Sequence, residues 1–60
     1  MSKENESITV CLYGEVKTYT RKKARAMLID CMANSEGSER DRYTTCYLQL
    51  EEGLVSVSDE

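Results

Sequence analysis

Residues 21–33 run without a glycine or a proline, and this stretch constrains the chain more than any other feature. Within it Ala24, Met27, Leu28 and Cys31 recur at i, i+3, i+4 and i+7, with Met32 alongside, which predicts an amphipathic helix with one buried stripe. Thr20 stands where an N-cap hydroxyl is wanted, and Tyr19 precedes it to staple onto Ala24. A loop over 34–39 follows, with Asn34 or Gly37 ending the helix in the left-handed region.

On either side the pattern reads as β. Residues 8–13 alternate in polarity and are rich in β-branched types, which predicts a strand. Gly14-Glu15 suits a type II′ turn with glycine first, and 16–19 form the returning strand. Residues 42–50 read as the longest strand, with Cys46, Leu48 and Leu50 pointing one way and Tyr43, Thr45, Tyr47 and Gln49 the other. Glu51-Glu52-Gly53 fits a three-residue hairpin with a glycine bulge, and 54–57 close the chain as a short strand whose register the bulge leaves open. The expected fold is α+β in the order ββαββ: a four-stranded, mainly antiparallel sheet with one helix packed on one face. Ile8, Val10, Leu12, Cys46, Leu48 and Leu50 would meet the helix there.

Sixty residues make one domain, 1–60, with 1–6 and 58–60 expected to fray. A core this small supplies roughly 3–5 kcal/mol unless something staples it. Cys11, Cys31 and Cys46 are odd in number and share no close spacing, which argues against a disulfide framework. With no histidine and three scattered thiols, neither a structural metal nor a cofactor is expected. Self-association remains, so a homodimer or larger is expected. The polar start of the chain, lacking an apolar leader, and the reduced thiols read as cytoplasmic. No apolar run approaches the ~20 residues of a membrane span, so no membrane partner is expected.

Charge is unevenly placed. Between Val16 and Arg25 lie Lys17, Arg21, Lys22, Lys23 and Arg25 with no acid, a segment of +5; the remaining three bases face eleven acids, −8. A helix N-terminus already carries partial positive charge, so basic side chains there point either to an anion or nucleic-acid site or to a solvated face neutralised by the chain's own acids. Tyr13, Tyr43 and Tyr47 with Arg40 and Arg42 form a second candidate, either stacking bases or making a subunit interface. Ala26, Ile29 and Ala33 make a small-residue stripe beside Lys22, the candidate oligomer contact.

Catalysis has little support. Without histidine, Ser–His and Cys–His nucleophile pairs are impossible within one chain. A metal-dependent nickase would have to gather Glu36, Glu39 and Asp41 around a divalent ion, and acids in a loop more often solubilise.

At Gly14-Glu15-Val16-Lys17-Thr18-Tyr19-Thr20-Arg21-Lys22-Lys23-Ala24 and Ser35-Glu36-Gly37-Ser38-Glu39-Arg40-Asp41-Arg42-Tyr43 the chain resembles small accessory proteins of mobile elements and phages from gut Clostridia. Some proteins of that kind are anti-CRISPR proteins, and one type is similar to the coactivator-like single-strand DNA-binding fold, a bent antiparallel sheet with one helix that forms dimers or tetramers and alters DNA topology. The resemblance therefore implies an oligomeric module contacting nucleic acid, as an anti-CRISPR protein or DNA-topology modulator. The acidic remainder supports another reading, an inhibitor or adaptor that mimics nucleic acid and binds a host protein.

Overall fold

The computed structural model describes residues 5–59. Strand β1 (Ser7–Leu12) and strand β2 (Glu15–Thr20) form a hairpin, followed by helix α1 (Arg21–Ala33), helix α2 (Gly37–Glu51) and strand β3 (Ser56–Ser58). The sheet has three strands in the order β2-β1-β3, with β2 antiparallel and β3 parallel to the central β1. This overturns the expected four-stranded sheet with one helix. No helix among the described residues is long and apolar enough to cross a membrane.

The correction lies in residues 42–50, which are helical. Their two-residue alternation is real, but Tyr43, Cys46, Tyr47 and Leu50 also recur at i, i+3, i+4 and i+7, the period of a helix. Threonine and tyrosine favour strands for want of helix propensity. Here Thr44 and Thr45 donate their hydroxyls to the carbonyls of Arg40 and Asp41, at 2.7 and 2.9 Å, so both are accommodated inside the helix. Leu48, expected in the core, points outward and is 58% exposed.

Glu51-Glu52-Gly53 caps α2 instead of turning a hairpin. Gly53 has φ +96°, its N–H donates to Leu50 O, and the Leu54 N–H donates to Gln49 O. This pair of bonds is the Schellman arrangement, which answers the last free carbonyls of a helix. The chain then runs back along β1, with Val10 beside Val57, so β3 turns Val57 inward and spans Ser56–Ser58 rather than 54–57.

The first hairpin also turns one residue earlier than expected. Tyr13 (φ +54°) and Gly14 (φ +79°) are its two central residues, and positive φ at both makes the turn type I′, not II′. Helix α1 follows the sequence reading in its bounds and N-cap, but it does not close in the left-handed region. The Lys23 N–H donates to the Thr20 hydroxyl at 3.2 Å, and Asn34 ends the helix at φ −104° while Gly37 (φ +65°) opens α2.

The buried core is Ile8 and Val10 from β1, Ala24 and Leu28 from α1, Cys46 and Leu50 from α2, and Val57 from β3. Both helices cover one face of the sheet. Arg21 is buried as well, at 6% exposure. Its guanidinium donates to the Glu6 carboxylate at 2.6 and 3.0 Å and to Leu50 O at 2.9 Å. It therefore places a cation on the C-terminal carbonyls of α2, where the helix dipole favours one. Of the ends expected to fray, residues 1–4 and 60 lie outside the described residues; Glu6 is held by Arg21, and Asp59 pairs with Arg42 at 2.8 Å.

The two sheet edges differ. On the β3 side, the side-chain amide of Gln49 pairs with the main chain of Ser58 in both directions, accepting from its N–H and donating to its carbonyl at 3.1 Å each. On the β2 side, the Arg21 N–H donates to Glu6 O, which sets the phase of the ladder. Glu15, Lys17 and Tyr19 face β1, so Val16 and Thr18 turn their main-chain groups outward, and Thr20, whose carbonyl opens α1, turns out its N–H.

Candidate binding groove

Between the β1–β2 hairpin and the helices lies a groove of about 180 Å³. Val10, Leu12 and Met27 form its apolar part with Cys31, Tyr13, Tyr19 and Tyr43 supply three aromatic rings, and Glu15 and Lys17 stand on its rim. Alternation along β2 explains much of this: Glu15, Lys17 and Tyr19 share the helix-side face, opposite Leu12, Val10 and Ile8 of β1. Spacing of four along α1 places Met27 and Cys31 on one side, where the Cys31 thiol donates to the Met27 sulfur at 3.8 Å. Lys23 sits one turn ahead of Met27 on that same side and is exposed.

The mouth of the groove is built around Tyr13. A positive φ is unusual for a bulky residue and has to be held by its surroundings. The Asp59 carboxylate accepts the Tyr13 N–H at 3.1 Å, and the Arg42 guanidinium lies 5.1 Å from the centre of its ring. Arg42 in turn pairs with Asp59, whose side chain is only 5% exposed. The Tyr43 ring meets Tyr13 edge-on, centroids 6.3 Å apart. With Arg42 on its ring and Tyr43 at its side, Tyr13 still exposes 52% of its surface.

Two titrations follow from this packing. The Tyr13 N–H, and after it Arg42, hold the Asp59 carboxyl below its ordinary value. Burial first, then the neighbouring Tyr13 phenol, pushes the Tyr43 hydroxyl above its ordinary value, so it stays a neutral donor at pH 7.

The predicted basic cluster is divided by the fold. Lys17 lines the groove, and Lys23 is exposed one helical turn ahead of Met27, outside the lining. Arg21 is consumed by the Glu6 and Leu50 contacts and is unavailable to a ligand. Arg25 pairs with Glu51 at 3.5 Å. Lys22 lies with Ala26, Ile29 and Ala33 on the exposed side of α1, and neither Lys22 nor Lys23 makes an ion pair among the described residues. The tyrosine candidates divide too: Tyr13, Tyr43 and Arg42 come together, whereas Tyr47 packs against the core. Tyr43 and Tyr47 belong to a helix, so the expected tyrosine-bearing sheet face does not exist; the outer face of the sheet carries Thr9, Cys11, Val16, Thr18 and Ser56.

Sequence reasoning missed Glu15, Tyr19, Met27, Cys31 and Asp59. The first two were legible as the alternation partners of Lys17; Asp59 depends on the parallel return of β3, which no local pattern announces.

A larger, shallower hollow of about 620 Å³ lies at the α1–α2 connection, lined by Met32, Ala33, Asn34, Ser35, Glu36, Glu39 and Arg40. It holds no aromatic ring and is bounded by an exposed loop, so it offers a ligand little purchase. Among the described residues, no three carboxylates or thiols gather as metal ligands, Glu36, Glu39 and Asp41 included.

Comparison with protein-family models, curated proteins and solved structures finds no match to this chain.

Proposed function

We propose that the chain is a small binding module that takes single-stranded nucleic acid into the tyrosine-lined groove. The observation that carries this reading is the convergence of Tyr13, Tyr19 and Tyr43 with Lys17 around one cavity. Every base has a planar face that stacks on an aromatic ring, and each such contact contributes about 1–3 kcal/mol. Lys17 on the rim and Lys23, exposed one turn ahead of Met27, neutralise phosphates flanking the stacked base. Two such contacts give a salt slope of about −1.4 for a single strand. The net charge of −3 opposes long-range attraction, so binding is local and short in reach. Glu15 accepts hydrogen bonds, which favours bases bearing an exocyclic amino group over thymine or uracil.

Fluorescence anisotropy with labelled adenine, cytosine and thymine oligonucleotides at two salt concentrations tests this reading. Affinity should fall with salt and rank thymine last. Tyr13→Asn keeps a residue that tolerates the left-handed turn but removes the ring, and should weaken binding about tenfold. No binding at several hundred micromolar protein, or affinity unmoved by Tyr13→Asn combined with Tyr43→Leu, would overturn it.

A further inference from the structure

We propose that β2 is a self-docking edge: two copies of the chain pair antiparallel along it, with Thr18 on the two-fold axis. Val16, Thr18 and Thr20 turn their main chain away from β1, and none of their outward N–H groups is answered by a described residue. β-Branched residues line this edge, and it holds no proline, bulge or covering loop. At the opposite edge Gln49 already occupies the main chain of Ser58.

Hydrogen-bond phase and charge select the register. Only pairing with Thr18 opposite Thr18, and Val16 opposite Thr20, engages all three residues, Thr20 through its N–H because its carbonyl opens α1. Shifting by two in one direction sets Lys17 against Lys17; shifting in the other sets it against Arg21. In the chosen register Lys17 instead meets Tyr19 of the second copy, and Glu15 arrives beside the first turn of α1, where Arg21 is already held by Glu6 but Lys22 and Lys23 make no ion pair among the described residues. That approach answers an imbalance of charge in the turn. The first turn of α1 carries Arg21, Lys22 and Lys23 and no acid, although a helix N-terminus favours one. Glu15 of the second copy supplies it, reciprocally at both ends of the junction. A two-fold axis normal to the sheet keeps all four helices on one side, so the product is a six-stranded sheet with its two grooves adjacent.

Two measurements test the junction, and neither depends on nucleic-acid binding. Sedimentation equilibrium should give a dimer whose dissociation constant rises at least about tenfold in Thr18→Pro, since a symmetric pair loses two main-chain bonds at once. Proline there leaves the β1 ladder intact, because the Thr18 N–H does not face β1. As an independent arm, Thr18→Cys in a Cys11→Ser, Cys31→Ala background should form an intermolecular disulfide on mild oxidation. Opposed residues of a hydrogen-bonded pair stand about 5.5 Å apart, within disulfide reach. Val16→Cys should not, its counterpart being about 13 Å away. A monomer at every concentration, a dimer indifferent to Thr18→Pro, or equal cross-linking at both positions would overturn the proposal. If Thr18→Pro fails to fold, the cross-linking contrast alone decides.

Discussion

Asp59 accepts the main-chain N–H of Tyr13 at 3.1 Å across 46 positions of sequence, tying the end of the described chain to its first turn. The same carboxylate holds Arg42, which lies over the Tyr13 ring, so one acid sets both the backbone and the ring that shape the groove mouth.

Removing that acid should loosen the turn. Its folded-state carboxyl sits below the ordinary value of 3.8, so its contribution is present above that pH and is lost as pH falls through the lowered value. Urea denaturation of wild type and Asp59→Asn should therefore differ at pH 7 and converge in the acid range below 3.8. A constant gap across pH would contradict the assignment.

Arg21 is expected to be the most sensitive of the basic residues. Replacing it with methionine removes both side-chain bonds to Glu6 and the guanidinium bond to Leu50 O, leaving the Glu6 carboxylate without its cation, a loss of about 2–4 kcal/mol. Lysine should rescue little, because a single ammonium cannot reproduce the fork. Lys22→Gln, exposed and unpaired among the described residues, should change stability by less than about 0.5 kcal/mol. Denaturant midpoints of the three variants make the comparison.

Gly53→Ala isolates a backbone effect. A Cβ there would meet nothing within 4 Å, so sterics with neighbours are irrelevant. The penalty comes from φ +96° alone and should be about 1–2 kcal/mol. The same substitution in an ordinary hairpin bulge would weaken β pairing; here circular dichroism should report fraying at the end of α2.

Thiol reactivity should separate the cysteines. Cys46 is fully buried and burial, its largest cause, pushes its pKa up to about 11, whereas Cys11 and Cys31 are part-exposed. With a disulfide-exchange reagent at pH 8, Cys46 should react last and only as fast as the protein opens. Rapid modification of all three thiols in the native state would show the core to be misassigned.

Local sequence disclosed β1, the returning β2 and α1, because each carries one dominant period, although the turn between the strands falls one residue earlier than its glycine suggests. It failed at α2, where Thr44, Thr45, Tyr43 and Tyr47 favour strands residue by residue. There the helical recurrence of Tyr43, Cys46, Tyr47 and Leu50 competes with an equally clean alternation. Chain-local signals cannot arbitrate between them; burial of Cys46 and Leu50 against Ile8 and Leu28 does. Gly53 in turn reads as a hairpin bulge only if a strand precedes it, and closes a helix here. Among site residues, the basic run was visible, but sequence could not foresee that Arg21 would turn inward while Lys17 met the tyrosines. That division depends on which strand face the helices cover.

Gln49 has a consequence for behaviour at high concentration. By imitating a neighbouring strand against Ser58, it plugs one margin of the sheet, and a sheet with a single free margin can add only once. On the proposed β2 pairing, growth by strand addition therefore stops at two copies and does not run on into fibrils.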